Sequence, residues 1–218
     1  MPRRKNIGEN GQFSQPIEHN LYNVQLGDKR KSPPKYLMEH EIQAVLEATK
    51  ASARDHAIFR LAYHHGLRAS EIGLIHMRDY RPSQRKDYDR LVIERLKGSF
   101  GGDTLLVEAA AEAIRKWVQK RGVAPGPMFL SRNHGRISRT MLHYLTKHYC
   151  KLAGIPEEKA HFHALKHTCG TMMLSVLKES IVDVQHHMGH ADIRSTMIYA
   201  KLTEAANEDR AHRLKKWK

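Results

Sequence analysis

The sequence is poor in cysteine, in acidic residues and in long apolar runs, and each shortage excludes a class of protein. Its two cysteines, Cys150 and Cys169, are too few for a framework of disulfides. No apolar run approaches the ~18 residues that a membrane-spanning helix needs, and the N-terminus has no apolar segment typical of a secretory signal. We therefore expect no membrane partner and no secretion by the usual route.

Acidic residues are outnumbered by basic ones. Lys and Arg total 37 and Asp and Glu total 23, which gives a net charge of +14 with neutral His and a pI of about 9.9. Such an excess in a chain of 218 residues points to a polyanionic partner, most often nucleic acid. The apolar fraction of 40% is large enough for a folded core, so the composition is not that of a disordered chain.

The shortage of acid is greatest between Glu112 and Glu157, where 44 consecutive residues include no Asp or Glu. A solvated helix face normally mixes both signs of charge, whereas a surface that follows a phosphate backbone carries one sign. We predict that this segment faces DNA, with ordinary solvation as the alternative. Its nine fixed positive charges are the predicted DNA-binding residues: Arg115, Lys116, Lys120, Arg121, Arg132, Arg136, Arg139, Lys147 and Lys151.

The first 35 residues differ from the rest of the chain. They hold seven basic and three acidic residues and no sustained apolar period, which predicts a basic, flexible N-terminal arm over residues 1–35. An ordinary frayed terminus is the alternative. We expect residues 36–218 to form one folded domain that ends in a C-terminal helix.

Apolar periodicity predicts a mainly α fold with a small three-stranded antiparallel β-sheet. Two helices precede Gly66, a short helix follows it, and further helices are predicted over about 108–121, 138–152, 162–177, 181–188, 192–199 and 203–216. The runs 91–93 and 104–107 predict a β-hairpin with a glycine-rich tip. Met128-Phe129-Leu130 is the predicted third strand.

Four short segments, far apart in the chain, combine residue types that serve chemistry on phosphate. They are GLRASE (66–71), LKG (96–98), HALKH (163–167), and Gly189-His190 followed nine residues later by Tyr199. Each segment alone is weak evidence of function, because such residues are common at surfaces and in cores. Together they supply what transesterification on DNA requires without a metal: a nucleophile, an acid for the leaving oxygen and cationic donors around the phosphate.

In this order and spacing the segments resemble the catalytic signature of the tyrosine recombinase (phage integrase) family, over about residues 36–205. Within the family the chain is most similar to the small fimbrial phase-variation recombinases, through the segments HGLRASEI (65–72) and FLSR (129–132). Those recombinases lack the N-terminal core-binding domain of other members. In other members this domain contacts the second face of the DNA. We therefore expect the basic arm to supply part of that contact.

The resemblance implies a site-specific DNA recombinase that forms a 3′-phosphotyrosyl intermediate and needs no metal, ATP or other cofactor. Tyr199 would be the nucleophile and Lys97 the general acid. Arg68 would hold the non-bridging phosphate oxygens with its fork of donors. His163 and His190 would bond the phosphate oxygens or assist proton transfer.

Two further residues and a set of partners follow from the same resemblance. Glu71 and His167 would orient the groups that touch the phosphate, and Glu71 also suits the positive end of a helix dipole. The implied partners are double-stranded DNA, three further copies of the chain in a tetramer on two DNA sites, and accessory DNA-bending proteins. The implied location is cytoplasmic, in the nucleoid.

One predicted catalytic residue departs from the family signature: Lys166 stands where Arg is usual. Lys keeps the charge but lacks the planar fork that bonds two phosphate oxygens. Loss of one preorganised donor costs roughly 10²–10³ in rate. The chain is therefore an active recombinase, a slower one, or a catalytically impaired DNA-binding relative with the same fold.

Two other interpretations use some of the same residues. His163, His167, His186, His187 and His190 have spacings that can bind zinc, but no H-E-x-x-H, C-x-x-C or well-placed carboxylate accompanies them, so no metal site is predicted. A type IB topoisomerase uses similar phosphotyrosyl chemistry. It acts as a single copy, whereas recombination needs four copies at two sites.

Overall fold

The computed structural model describes residues 35–83, 88–96, 99–200 and 215. Nearly all of the predicted arm, Lys97, Gly98 and nearly all of the predicted final helix lie outside these residues. The described residues all fall within one unit of the chain, Pro34–Lys218. None of the helices among them is both long and apolar enough to cross a membrane.

Helices account for most of the described chain, and the mainly α prediction is confirmed. The helices predicted after Val107 begin and end within two residues of their predicted limits, except for the last, which is outside the described residues. In chain order the helices are α1 (Glu39–Ala48), α2 (Ala53–His65), α3 (Ala69–Ile72), α4 (Glu108–Arg121), α5 (Arg139–Leu152), α6 (Phe162–Ser175), α7 (Ile181–His187) and α8 (Arg194–Ala200).

Local side chains explain where α2 begins and ends. The Ser52 hydroxyl accepts a hydrogen bond from the N–H of Asp55, which caps the first turn. Gly66 ends the helix in the left-handed conformation, at φ +58°. A Cβ at Gly66 would also lie 2.9 Å from Met188 Cε, which is the flexible end of its side chain, so it is the backbone conformation that favours glycine there. The chain therefore turns sharply just before Arg68.

The three-stranded antiparallel sheet is confirmed, but its third member is not the predicted one. The strands are β1 (Tyr80–Arg81), β2 (Arg90–Ile93) and β3 (Gly102–Leu105), in the order β1-β2-β3. The prediction of a strand at Met128-Phe129-Leu130 was wrong, because Leu130 there makes only an isolated bridge, to Arg136. Met128 and Phe129 are buried, so the apolar run reflects core packing rather than a strand.

The core is built around α2. Phe59 is fully buried, and its ring meets the rings of Tyr149 on α5 and Phe162 on α6 edge-on, at centroid distances of 5.4 and 6.1 Å. A smaller apolar cluster joins Val184 and Met188 to Tyr199 of α8. This packing brings the C-terminal end of α2 close to α6, α7 and α8.

Candidate active site

Glu71 holds Arg68 at the start of α3. The buried Glu71 carboxylate accepts hydrogen bonds from the backbone N–H of Arg68 at 2.8 Å and from its guanidinium at 2.7 Å. Burial raises the pKa of Glu71, but the hydrogen bonds from Arg68 and from the N–H of Leu96 outweigh burial and lower it. Glu71 is therefore an anion that fixes the direction of the guanidinium.

The residues on either side of Lys97 and Gly98 contact the same guanidinium. Arg68 Nη1 donates to the carbonyl of Leu96 and to the hydroxyl of Ser99, both at 3.2 Å. The next residue, Phe100, donates its N–H to the carbonyl of Gly189 at 2.8 Å. Lys97 itself is outside the described residues, so its role as general acid stays a prediction.

Arg68 opens into a basic cavity of about 710 Å³. Its side chain is 22% exposed, and its hydrogen bonds to side chains and carbonyls of the described residues all come from Nη1. Among the residues that line the cavity are Leu96, Arg139, His143, His161 and His163. Two Arg and three His side chains around one opening make it suited to an anion such as a phosphodiester.

His163 and His167 lie one turn apart on α6, with their rings edge-on at 4.5 Å. Desolvation and the positive charges of Lys166 and Arg68 lower the pKa of His163 to about 4. Burial, followed by the charge of His163, lowers the pKa of His167 to about 3. Both imidazoles are therefore neutral at pH 7, which leaves each with one nitrogen able to accept a proton.

His190 and Tyr199 lie side by side next to this pair. The His190 ring is nearly parallel to that of Tyr199 at 6.3 Å, and its Nδ1 is 3.0 Å from the hydroxyl of Thr196. The ring of His167 lies 5.8 Å from the same tyrosine. Burial, followed by the cations Lys166 and Arg68, lowers the pKa of His190 to about 4. His190 is therefore also neutral at pH 7.

Tyr199 is 1% exposed, and its ring fits against Gly170 of α6. Burial, followed by the proximity of Cys169, raises the pKa of the Tyr199 phenol above its ordinary value of 10.0. The phenol is therefore protonated at pH 7. Attack on phosphorus from this position requires a neighbouring base to take the proton.

We expect Gly170→Ala to destabilise the protein, although Gly→Ala inside a helix normally stabilises by about 1 kcal/mol. A Cβ at residue 170 would lie 2.5 Å from both Cδ2 and Cε2 of Tyr199. Such overpacking costs roughly 1–3 kcal/mol, which outweighs the helix propensity. Urea unfolding measures the change, with Ser175→Ala on the same helix as control. A stability gain in Gly170→Ala would mean that the ring does not occupy this position.

Lys166 does not line the cavity. It is 2% exposed, and its ammonium donates to the carbonyl of Gly66 at 2.9 Å. Burial, followed by the positive charges of Arg95 and Arg68, lowers the pKa of Lys166 to about 7. Its ammonium is therefore directed at the Gly66 carbonyl rather than into the cavity, and its catalytic role stays a prediction.

Four of the predicted DNA-binding residues lie on α4 and three on α5, and Arg132 and Arg136 lie in the connection between these helices. On α4, Arg115 pairs with Asp89 at 3.0 Å and with Glu108, and Arg121 binds the carbonyls of Pro127 and Ala124. These two guanidiniums thus have structural partners that the sequence did not reveal. On α5, Arg139 lines the cavity, and Lys147 and Lys151 lie exposed further along the helix.

The sequence analysis missed several residues that form this region. Arg95, Ser99, Gly170 and Thr196 all contact a predicted site residue or the carbonyls beside it, and His143 lines the cavity. None of these residues belongs to the segments that suggested the site. The structure nevertheless brings seven of the eight predicted catalytic and orienting residues into one region: Arg68, Glu71, His163, Lys166, His167, His190 and Tyr199.

The sequence model of the phage integrase family matches residues 35–206. The chain belongs to this family. The type 1 fimbriae regulatory protein FimE of Escherichia coli K12 is 31% identical over 176 residues, which cover 77% of this chain and 86% of FimE. The resemblance to a tyrosine recombinase catalytic domain, and to fimbrial recombinases in particular, is confirmed.

Two further relatives extend the comparison. The tyrosine recombinase XerC of Caldanaerobacter subterraneus subsp. tengcongensis is 31% identical over 194 residues, which cover 81% of this chain and 53% of XerC. The chain thus spans about half the length of that relative. The solved structure of the Tn1549 transposon integrase in complex with circular intermediate DNA has a TM-score of 0.64 at 19% identity, covering 90% of this chain and 73% of the integrase. This last match shows the shared fold.

Proposed function

We propose that the protein is a site-specific DNA recombinase that cuts and rejoins strands through a bond between Tyr199 and a 3′-phosphate. The observation that carries the proposal is the convergence of three separate segments: Arg68 and His163 line one basic cavity, and the buried His190 and Tyr199 pack next to them through the ring of His167. Family membership supports the reaction class. The DNA in the Tn1549 integrase complex supports double-stranded DNA as the substrate.

In the proposed reaction the Tyr199 oxygen attacks phosphorus and the bond from phosphorus to the 5′-oxygen breaks. The phenol proton passes to a neutral imidazole, and His190, whose ring lies beside that of Tyr199, accepts it at Nε2 when its Nδ1–H donates to Thr196. The 5′-oxygen takes a proton from a general acid, for which Lys97 is the candidate. One phosphodiester replaces another, so rejoining needs no ATP.

Arg68 would stabilise the charge that grows on the non-bridging oxygens during attack. Its guanidinium is held in place by Glu71 before the substrate arrives, so little reorganisation is needed at the moment of reaction. His163 lines the same cavity and adds a second hydrogen-bonding group. Exchange between two DNA sites needs one nucleophile for each of four strands, which requires four copies of the chain.

The exposed face of α5 extends the cavity into a basic surface. Arg139, Thr140 and His143 line the cavity, and the same face continues through exposed residues to Lys151. At 1.5 Å per residue this face is about 18 Å long, enough to follow several phosphates of one strand. We propose that DNA runs from the cavity along α5, so Arg139, Lys147 and Lys151 are the strongest of the nine predicted DNA contacts.

Covalent trapping tests the proposal. Nicked duplexes taken from the DNA that flanks the protein's own gene are incubated with the protein, so that the short 5′-hydroxyl fragment diffuses away and the adduct accumulates. We expect a protein–DNA adduct on a denaturing gel, and a tryptic peptide carrying the nucleotide on Tyr199 by mass spectrometry. Duplexes that are bound in a gel shift but give no adduct would contradict a cutting enzyme and favour the DNA-binding relative.

A further inference from the structure

Arg95 is an almost fully buried arginine that the proposed reaction does not use. It follows β2 after one residue, and its side chain is only 3% exposed. Its Nη2 donates to the carbonyls of His65 at 2.9 Å and His187 at 3.1 Å, and its Nη1 donates to the carbonyl of Gly66 at 3.2 Å. One guanidinium therefore satisfies three buried carbonyls on two different helix ends.

Those carbonyls belong to the C-termini of α2 and α7. The last carbonyls of a helix have no partner within the helix and carry the negative end of its dipole, so a buried cation is favoured there. A guanidinium presents five donors in a rigid fork and can serve both ends at once. An ammonium at the same place is a single point charge on a shorter reach, and it cannot span both helix ends.

Each segment that Arg95 holds leads directly to a residue of the proposed site. The α2 end continues through Gly66 and Leu67 to Arg68, and the α7 end continues through Gly189 to His190. A Cβ at Gly189 would lie 3.3 Å from Arg95 Nε, so this turn packs closely on the side chain. The residue after Arg95 is Leu96, whose N–H binds Glu71 and whose carbonyl binds Arg68.

We propose that Arg95 is a positioning residue that sets the distances between Arg68, His190 and the β2–β3 hairpin. The inference rests on the proposed function, since those residues are the ones it places around the phosphate. Lys166 donates to the same Gly66 carbonyl as Arg95, so the two side chains hold this turn together. Arg95 itself touches no substrate.

Single-turnover trapping on the nicked duplexes tests this role, with Arg95→Lys and Arg95→Met as variants. Arg90→Lys is the matched control, because Arg90 begins β2, the strand just before Arg95, and its side chain makes an exposed ion pair with Asp103. Displacement of reacting groups by about 1 Å can cost ~10²-fold in rate. We therefore expect Arg95→Lys to form adduct roughly 10²-fold more slowly, with unchanged gel-shift affinity and an unchanged final yield of adduct.

The yield and the rate separate positioning from simple unfolding. A variant that merely fails to fold loses yield, whereas a mispositioned site keeps the yield and loses rate. Wild-type rates in Arg95→Lys, or a loss confined to yield, would overturn the proposal. Absence of adduct with the wild-type protein would instead contradict the proposed function.

Amide hydrogen exchange tests the positioning role of Arg95 in the protein without DNA. The N–H groups of Glu71, Leu96, Phe100 and His190 each make a defined hydrogen bond in one of the three segments. We expect all four amides to exchange faster in Arg95→Lys and to be unaffected in Arg90→Lys. Faster exchange at Leu96 alone would overturn the proposal, because it would mean that Arg95 serves only its own loop.

Discussion

The Tyr199→Phe variant is expected to bind DNA as tightly as the wild-type protein and to form no covalent adduct. Phenylalanine preserves the ring that packs against Gly170 and the apolar cluster with Val184 and Met188, so the fold should be retained. Only the phenolic oxygen is lost, so no ester can form at this position. The expected loss is complete within detection, the largest of any substitution in this chain. Gel shift and trapping on the same nicked duplexes measure the two properties.

Tyr149→Phe is the matched control. Tyr149 is also a buried tyrosine, and its hydroxyl donates to Asp55 at 2.8 Å. Removal of this hydroxyl leaves a buried carboxylate oxygen with one fewer partner and should cost on the order of 1–3 kcal/mol of stability. Adduct formation should persist. An adduct that survives Tyr199→Phe and disappears in Tyr149→Phe would show that the nucleophile has been assigned to the wrong residue.

The free energy of unfolding is expected to rise continuously from pH 5 to pH 8, so that the protein is most stable at the alkaline end of the range of about pH 5 to pH 8 in which many small proteins are most stable. The cause is a set of basic groups that the fold keeps neutral. Unfolding by urea or by heat at a series of pH values measures the profile, and a stability maximum at or below pH 6 would contradict it.

The histidines account for the acid side of this profile. The pKa of His190 is lowered from 6.5 to about 4, and that of the fully buried His65 is lowered well below 6.5. As the pH falls below about 6.5, the unfolded chain takes up protons that the folded chain refuses, so stability is lost down to about pH 4. For His190 the loss between pH 7 and pH 5 is on the order of 2 kcal/mol.

Lys166 accounts for the alkaline side. Its pKa is lowered from 10.5 to about 7, so between these values the unfolded chain holds a proton that the folded chain releases. The contribution of Lys166 to stability therefore rises from about pH 7, by on the order of 2 kcal/mol between pH 7 and pH 9. Near pH 9 the buried thiols of Cys150 and Cys169, whose pKa values are raised by burial, begin to oppose this rise. Lys166→Met should raise stability at pH 6 and flatten this part of the profile. An unchanged slope in Lys166→Met would assign the rise to other groups.

The helices were predictable from the sequence because each one carries a clear apolar period and clear boundaries. Gly66 marks the end of α2, and the buried face of α5 follows Leu142, Leu145 and Tyr149 at helical spacing. The strand β1 was not predictable from the sequence. Tyr80–Arg81 is only two residues long, and it is a strand because it pairs with β2, not because its own composition favours one.

The candidate site was predictable only as a set of segments, because the family signature names residues without their surroundings. It gave Arg68 and Glu71, whose mutual hydrogen bonds follow from their spacing on one turn. It did not give Arg95, because a buried arginine in a basic chain looks no different from a solvated one. Nor did it give the direction of the Lys166 side chain, which depends on a carbonyl 100 positions away.

The burial of the Tyr199 ring against Gly170 also determines how often the phenol is exposed to solvent. A tyrosine ring buries roughly 150–250 Å², and at about 25 cal/mol per Å² its withdrawal into water costs on the order of 4 kcal/mol. In the absence of DNA, about one molecule in a thousand would then have the Tyr199 phenol exposed at any instant. If Tyr199 is the nucleophile, as proposed, the chain without DNA would be mostly inactive, and binding to the correct DNA would have to favour the exposed phenol before a strand is cut.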